Sequence, residues 1–251
     1  MLKTLFTGHQ WIRLQTTAST NTYALELLSD KPLEGTLITA EFQESGRGQK
    51  GNAWAAPPET NLLFSLIYFP RFLPLSNMFS LSKAVSLGVQ AAIQSFLPEA
   101  NVQVKWPNDL LINQRKVAGI LIENQLEGTR IKASVIGIGL NVNQQNFPPE
   151  LEATATSMRR FAKASLNRED VLQRMLENIE GRYLQLKSGK QAQLDRDYYD
   201  NLYGYQEPIR LQDEDGDFEG MIVGVDPNGK LAVQRGQKLH YYDFKAVRFL
   251  L

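Results

Sequence analysis

Val102-Gln103-Val104-Lys105-Trp106-Pro107-Asn108-Asp109-Leu110-Leu111-Ile112-Asn113-Gln114-Arg115-Lys116 alternates, breaks and resumes. Val102, Val104 and Trp106 alternate with Gln103 and Lys105, the two-residue period of a half-buried strand. Pro107 ends that run, because it has no N–H to give a ladder. Leu110-Leu111-Ile112 starts again, Asn113-Gln114-Arg115 turns, and 116–123 and 131–140 supply further strand-like runs. The last of these closes in Gly137-Ile138-Gly139-Leu140-Asn141-Val142-Asn143. Three strands joined by short turns predict an antiparallel meander. Lys105, Asn108, Asp109, Lys116, Asn141 and Asn143 all fall at strand ends. They form either solvated turns or the rim of one pocket.

Upstream, Met78, Phe79, Leu81, Ala84, Val85, Gly88, Val89, Ala92, Ile93 and Phe96 follow the helical period up to Pro98, which predicts a core helix without chemistry. The run 61–69 reads as a buried strand. Before it lies Gly46-Arg47-Gly48-Gln49-Lys50-Gly51, with Trp54 just behind. Glycines let a backbone turn sharply and bring its N–H groups close to an anion, and Arg47 and Lys50 add two cations. The loop is either a phosphate-facing cradle or a glycine-rich surface turn. The strand-like 36–42 holds its near end. Ser19-Thr20-Asn21-Thr22 precedes Tyr23, Ala24, Leu27 and Leu28 at helical spacing, so these polar residues cap a helix or face a ligand at its N-terminus. Trp11, Ile12 and Leu14 predict an edge strand.

Downstream, 154–161 reads as a short strand or a turn. Asn167-Arg168-Glu169-Asp170 looks like a cap for a helix carrying Val171, Leu172, Met175, Leu176, Ile179 and Tyr183, and a second helical stretch covers 191–203. From about Tyr205 the pattern changes to short strand-like runs at 208–211, 218–225, 231–233, 239–244 and 247–251, parted by turn residues, which predicts a small appended β-barrel.

At 251 residues the chain suits one large domain with a small appendage. Lys+Arg and Asp+Glu are equal at 27, which argues against a non-specific grip on nucleic acid. There is no cysteine, so disulfides, thiolate metal sites and cysteine nucleophiles are excluded. No apolar stretch approaches a membrane span and no basic-then-apolar leader begins the sequence, so the expected location is cytoplasmic. His9 and His240 stand near opposite ends, and no hydrolase, Walker or dinucleotide motif occurs. What remains is a glycine–cation loop, further lysines, Asp109 as a candidate magnesium ligand, and Trp54 or Trp106 as stacking surfaces. That set suits electrostatic stabilisation of phosphoryl groups, such as carboxylate attack on the α-phosphate of ATP.

Ser19-Thr20-Asn21, Glu41-Phe42-Gln43 running into GRGQKG at 46–51, KWPND at 105–109, KVAGILIE at 116–123 and GIGLNVN at 137–143 resemble, in order and spacing, the biotin protein ligases. The resemblance implies an α+β fold with a mixed, largely antiparallel sheet and helices. The catalytic domain, over 1–204, would be of the class II synthetase type, and 205–251 would form a small SH3-like β-barrel. It implies biotin and ATP as substrates with Mg2+, a biotinyl-5′-AMP intermediate, and transfer to a lysine of a biotin carboxyl carrier protein. By resemblance Ser19, Thr20 and Gln43 bind the ureido ring with Asn21 beside it. Arg47, Gly48 and Gln49 hold carboxylate and phosphate, and Lys116, with Gly119 nearby, meets the biotin carboxylate. Arg47 and Lys116 carry the catalysis. Lys50, Trp54, Asn108, Asp109 and Asn141 join Arg47 on the nucleotide side, Asp109 towards the metal. Gln49 departs from the pattern, since many relatives have arginine there. Only 18 residues precede Ser19, too few for the helix-turn-helix domain of some members, so no DNA partner is expected; a homodimer is compatible with the sequence. Loop 45–53 is expected to act as a lid. Two other readings stand beside this one: a lipoate-type ligase, whose straight acyl chain has no ring for Ser19, Thr20 and Gln43, and a non-catalytic biotin sensor, which has no need of Arg47, Asp109 and Lys116.

Overall fold

The computed structural model describes residues 3–250. Seven strands build its larger sheet: β1 Trp11–Thr17, β2 Thr36–Gln43, β3 Leu62–Tyr68, β4 Val102–Lys105, β5 Asp109–Ile112, β6 Arg115–Glu127 and β7 Arg130–Leu140. Their order is β1-β2-β3-β7-β6-β5-β4, with β1 and β2 parallel and all other pairs antiparallel. The mixed, largely antiparallel α+β class expected from the sequence is what forms. The meander has four strands rather than three, because the turn through Pro107 and Asn108 folds β5 back on β4 in a hairpin closed by the Lys105–Asp109 pair.

Every residue of β3 is buried. Its successive side chains enter opposite layers, as the strand period requires. Leu66 and Ile136 join the large core under α2 (Phe79–Phe96) and α3 (Arg168–Lys187), whereas Ile67 and Val135 join Ile38 and Ala24 under α1 (Thr20–Leu27). Helix α2 is the expected core helix, and at Gly88 it approaches α3 so closely that a Cβ would stand 2.6 Å from Ile179 Cα. Asn167 caps α3, its Oδ1 accepting from the N–H groups of Glu169 and Asp170 at 2.8 and 3.3 Å. Such a cap is worth about 1 kcal/mol. Segment 154–161 is neither a full strand nor a plain turn: Ala155 bridges Lys116, and a 3-10 turn covers Met158–Arg160.

After α4 (Gln191–Asp200) come β8 Pro208–Asp213, β9 Gly216–Val225, β10 Leu231–Arg235, β11 Lys238–Tyr242 and β12 Arg248–Phe249. They form an antiparallel sheet in the order β11-β10-β9-β8-β12. The expected barrel is not closed. Strand β12 is two residues long and spends its pairing on Leu211 and Gln212 of β8, so β11 stays at the far edge. Leu251, at the end of the expected last strand, lies outside the described residues. The second sheet shares its core with the first: Phe244 packs against Phe79 and Trp106, and Trp106 Nε1 donates to Gly229 O at 2.8 Å. No helix among the described residues is long and apolar enough to cross a membrane.

Candidate active site

On the α1 face of the larger sheet, side chains shrink towards the N-terminal end of α1. Along β3 that face reads Ile67 then Ser65; along β7, Val135, Gly137 and Gly139. Gly119 of β6 pairs with Gly139. Where the apolar filling stops, a cavity of about 420 Å³ opens. A Cβ on Gly137 would overlap the Asn21 amide, and one on Gly139 would overlap the Trp54 indole. The glycines of the 137–143 block therefore make room for two side chains contributed from elsewhere.

Ser19 occupies the N-cap position of α1 but makes no side-chain cap bond. Thr20 turns to the cavity wall instead: its N–H donates to Gln43 Oε1 at 2.7 Å, and its Oγ1 lies 3.1 Å from the same oxygen. Ser65 Oγ, fully buried, donates to Asn21 Oδ1 at 2.6 Å and lies 2.8 Å from Thr20 Oγ1. Asn21 Nδ2 donates to Leu121 O and to Glu123 Oε2, at 3.2 and 2.9 Å. Both amide hydrogens of Asn21 are thus committed to protein partners.

The glycine loop closes on itself. Gly48 N donates to Asn52 O at 2.7 Å, Trp54 N to Gly46 O at 2.8 Å, and Arg47 bridges Ala53, with a 3-10 turn over Gln49–Gly51 between. Arg47 meets Glu123 through both outer nitrogens, at 2.7 and 3.1 Å. Trp54 lies over the Gly119–Gly139 pair, and its buried indole N–H has no partner. Such a donor, in a water-excluding wall, is matched by a ligand acceptor at low cost.

Lys116 Nζ reaches Asp109 Oδ1 at 2.7 Å and stands 5.5 Å from the Trp54 ring. Lys105 lines the same cavity; burial pushes its amine below the usual lysine range, Asp109 pulls it back up, and Lys116 and Arg248 push it further down. Asn108 pins the turn, its Nδ2 donating to Ile120 O at 2.6 Å. Asn141 sits in the wall of an adjoining cavity of about 750 Å³ that shares Trp54, Lys105, Asp109 and Lys116 with the first. There its Nδ2 donates to Thr156 O at 3.0 Å and its Oδ1 accepts from Asn61 Nδ2 at 3.3 Å.

The structure brings Ser19, Thr20, Asn21, Gln43, Arg47, Gly48, Gln49, Trp54, Asn108, Asp109, Lys116 and Gly119 to one cavity and Asn141 to its neighbour. Lys50 lies in the 3-10 turn; its side chain is outside the described part of the structure. Sequence reasoning did not single out Ser65, Glu123 or Lys245, Val247, Arg248 and Phe249, the last four bringing the second sheet into the cavity wall. Glu123 ends the KVAGILIE block, and that was its only signal. Among the described residues no three His, Cys, Asp or Glu cluster as a metal site.

Residues 13–141 match the Biotin/lipoate A/B protein ligase family, and 207–243 match the Biotin protein ligase C terminal domain. The chain is similar to the bifunctional ligase/repressor BirA of Bacillus subtilis, 34% identical over 240 residues that span 94% of this chain and 73% of that one. It is also similar to the biotin--[acetyl-CoA-carboxylase] ligase of Mycobacterium tuberculosis, at 30% identity over 91% of this chain and 86% of that one. The fold is that of the biotin protein ligase of Aquifex aeolicus solved in complex with biotin and ATP, with a TM-score of 0.79, 24% identity, and coverage of 96% and 99% of the two chains. A family match over half the chain, a relative 34% identical along nearly all of it, and a cavity where a glycine–cation loop meets Lys116 lead to one conclusion: this chain belongs to the biotin protein ligases, ATP-dependent enzymes that activate biotin and transfer it to an acceptor protein.

Proposed function

We propose that the 420 Å³ cavity is where biotin and ATP react, and that Arg47 and Lys116 are the catalytic cations. The observation that carries this is their convergence on one cavity whose opposite wall, Thr20 and Gln43, is neutral and hydrogen-bonding. A carboxylate and a triphosphate repel one another, so cations fixed at the meeting point lower the barrier by holding charge that grows in the transition state. A biotin carboxylate oxygen attacks the α-phosphorus, the bond from that phosphorus to the β-bridging oxygen breaks, and pyrophosphate leaves. Lys116, reaching into both cavities, holds the carboxylate and then the new phosphate ester. Trp54 offers its ring to adenine and its N–H to an acceptor. Asn108 and Asn141, committed to main-chain carbonyls, shape the nucleotide side. In the second step a neutral lysine amine of a biotin carboxyl carrier protein attacks the acyl carbon, AMP leaves with the C–O electron pair, and the ammonium proton passes to solvent. No enzyme nucleophile is required, in keeping with a chain that has no cysteine.

Asp109 fits a nucleotide-borne Mg2+, which takes one or two carboxylates and fills the rest of its shell with phosphate oxygens and water. Bound there, Mg2+ would neutralise the leaving pyrophosphate. The balanced charge supports a ligase acting without a DNA partner. The test is pyrophosphate release with ATP and Mg2+ plus either biotin or lipoate. Release with biotin alone is expected. Release with lipoate alone would move the substrate to the other branch of the family, and release with neither would contradict adenylation at this cavity.

A further inference from the structure

Glu123 is a carboxylate that grips Arg47 and Asn21, two residues lining a site built for anions. Its position invites a structural explanation, but the pair it makes is a poor source of stability: Arg47 is 43% exposed and Glu123 25%. Half-exposed ion pairs contribute little to folding. The geometry is nevertheless specific. Glu123 Oε1 takes Arg47 NH2 at 2.7 Å, while Oε2 takes Arg47 NH1 at 3.1 Å and Asn21 Nδ2 at 2.9 Å. Arg47 rides on the glycine loop and Asn21 on the first turn of α1, and β6 carries Glu123 between them. From Asn21 the chain of hydrogen bonds runs through the hydroxyls of Ser65 and Thr20 and then the Thr20 N–H to Gln43, at the end of β2 just before the loop begins. A closed circuit therefore joins the loop's cation to the neutral wall across the cavity.

We propose that Glu123 is a positioning residue for adenylation: it aims Arg47 into the cavity and couples the placement of that cation to the Asn21–Thr20–Gln43 wall. This rests on the ligase reading above. A guanidinium has five N–H donors in a rigid fork. Glu123 engages one hydrogen on each terminal nitrogen, so the Nε edge and the remaining terminal hydrogens stay available for a substrate carboxylate or phosphate. Without the carboxylate, Arg47 swings on three methylenes and the loop's glycines, and an error of about 1 Å at the reacting group is costly. Asn21 meanwhile has no spare donor for a ligand; its effect on the site runs through Glu123 and Ser65.

The experiment compares wild type, Glu123→Gln and Glu123→Ala in biotin-dependent pyrophosphate release, with thermal melting alongside. A loss of about 10- to 100-fold in kcat is expected for Glu123→Ala, with Glu123→Gln between it and wild type and melting temperatures nearly unchanged. A double-mutant cycle then asks for the coupling itself. In the wild-type background, Asn21→Ala and Arg47→Lys should combine to less than the product of their separate effects, by fivefold or more as a rough threshold. In the Glu123→Gln background the same two changes should multiply. Wild-type kcat in both Glu123 variants, or multiplicative effects in both backgrounds, would overturn the coupling while leaving the ligase reading intact. No biotin-dependent release by the wild type itself would remove the reading on which it rests. A loss of rate that tracks a fall in melting temperature would reduce Glu123 to a structural residue.

Discussion

Lys83–Asp195 and Lys116–Asp109 are the same ion pair twice, each with nitrogen and oxygen 2.7 Å apart. Their surroundings separate them. Lys83 is 7% exposed, reaches from α2 to α4, and has Tyr198 and Tyr199 rings at 5.4 and 5.1 Å from its nitrogen. Lys116 is 38% exposed and opens on two cavities. A lysine enclosed by aromatic faces and a carboxylate is satisfied from all sides and holds helices together. A lysine with one partner and open space beyond still has ammonium donors to give a ligand. Pairing distance alone does not distinguish structure from chemistry; what fills the rest of the shell does.

The comparison is broken most readily at Lys116. Lys116→Ala should lower adenylation by about 10²–10³-fold, with a stability change of only about 0.5 kcal/mol, read by pyrophosphate release and denaturant melts. Arg47→Ala should abolish most adenylate formation by the same assay, and wild-type release by that variant would contradict its catalytic role. Asp195→Ala should do the opposite. It strands the Lys83 charge among aromatic rings and should cost about 2 kcal/mol, less than for a fully enclosed pair because Asp195 touches solvent. Its kcat per folded molecule should be unchanged, and Lys83→Met with Asp195→Leu should recover most of the loss. Gly139→Ala sharpens the role of the glycine floor: its Cβ would displace Trp54 and raise KM for ATP about tenfold with biotin binding less affected. The smallest effect belongs to Gln49→Ala, which should mainly loosen retention of the adenylate, seen as a few-fold faster appearance of free biotinyl-5′-AMP by chromatography.

Local patterns in the sequence carried most of the fold. The period of α2, the buried run of β3, the Asn167 cap and the turns of the second sheet each depend on residues a few positions apart. The same holds for GRGQKG, KWPND and Lys116. What stayed hidden depends on closure across the chain. Glu123 finds Arg47 76 positions away, Ser65 finds Asn21 44 positions away, and Arg248 and Phe249 reach the cavity only once the second sheet has docked through Phe244 and Trp106. The glycines at 137 and 139 were visible, but their purpose was not: it is set by Asn21 and Trp54, which come from other elements to fill the space. The open edge at β11 was equally illegible, because it depends on β12 pairing with β8 rather than with β11.

The central claim, that Lys116 is a reacting-site cation and Lys83 a structural one, meets its most direct test in a mass spectrum. A biotin carboxyl carrier domain is incubated with ATP, Mg2+, biotin and either wild type, Lys116→Ala or Lys83→Met, each at equal folded concentration. The account predicts one added biotin on the carrier with wild type and with Lys83→Met, and an unmodified carrier with Lys116→Ala over the same time. A carrier biotinylated equally well by Lys116→Ala would contradict it.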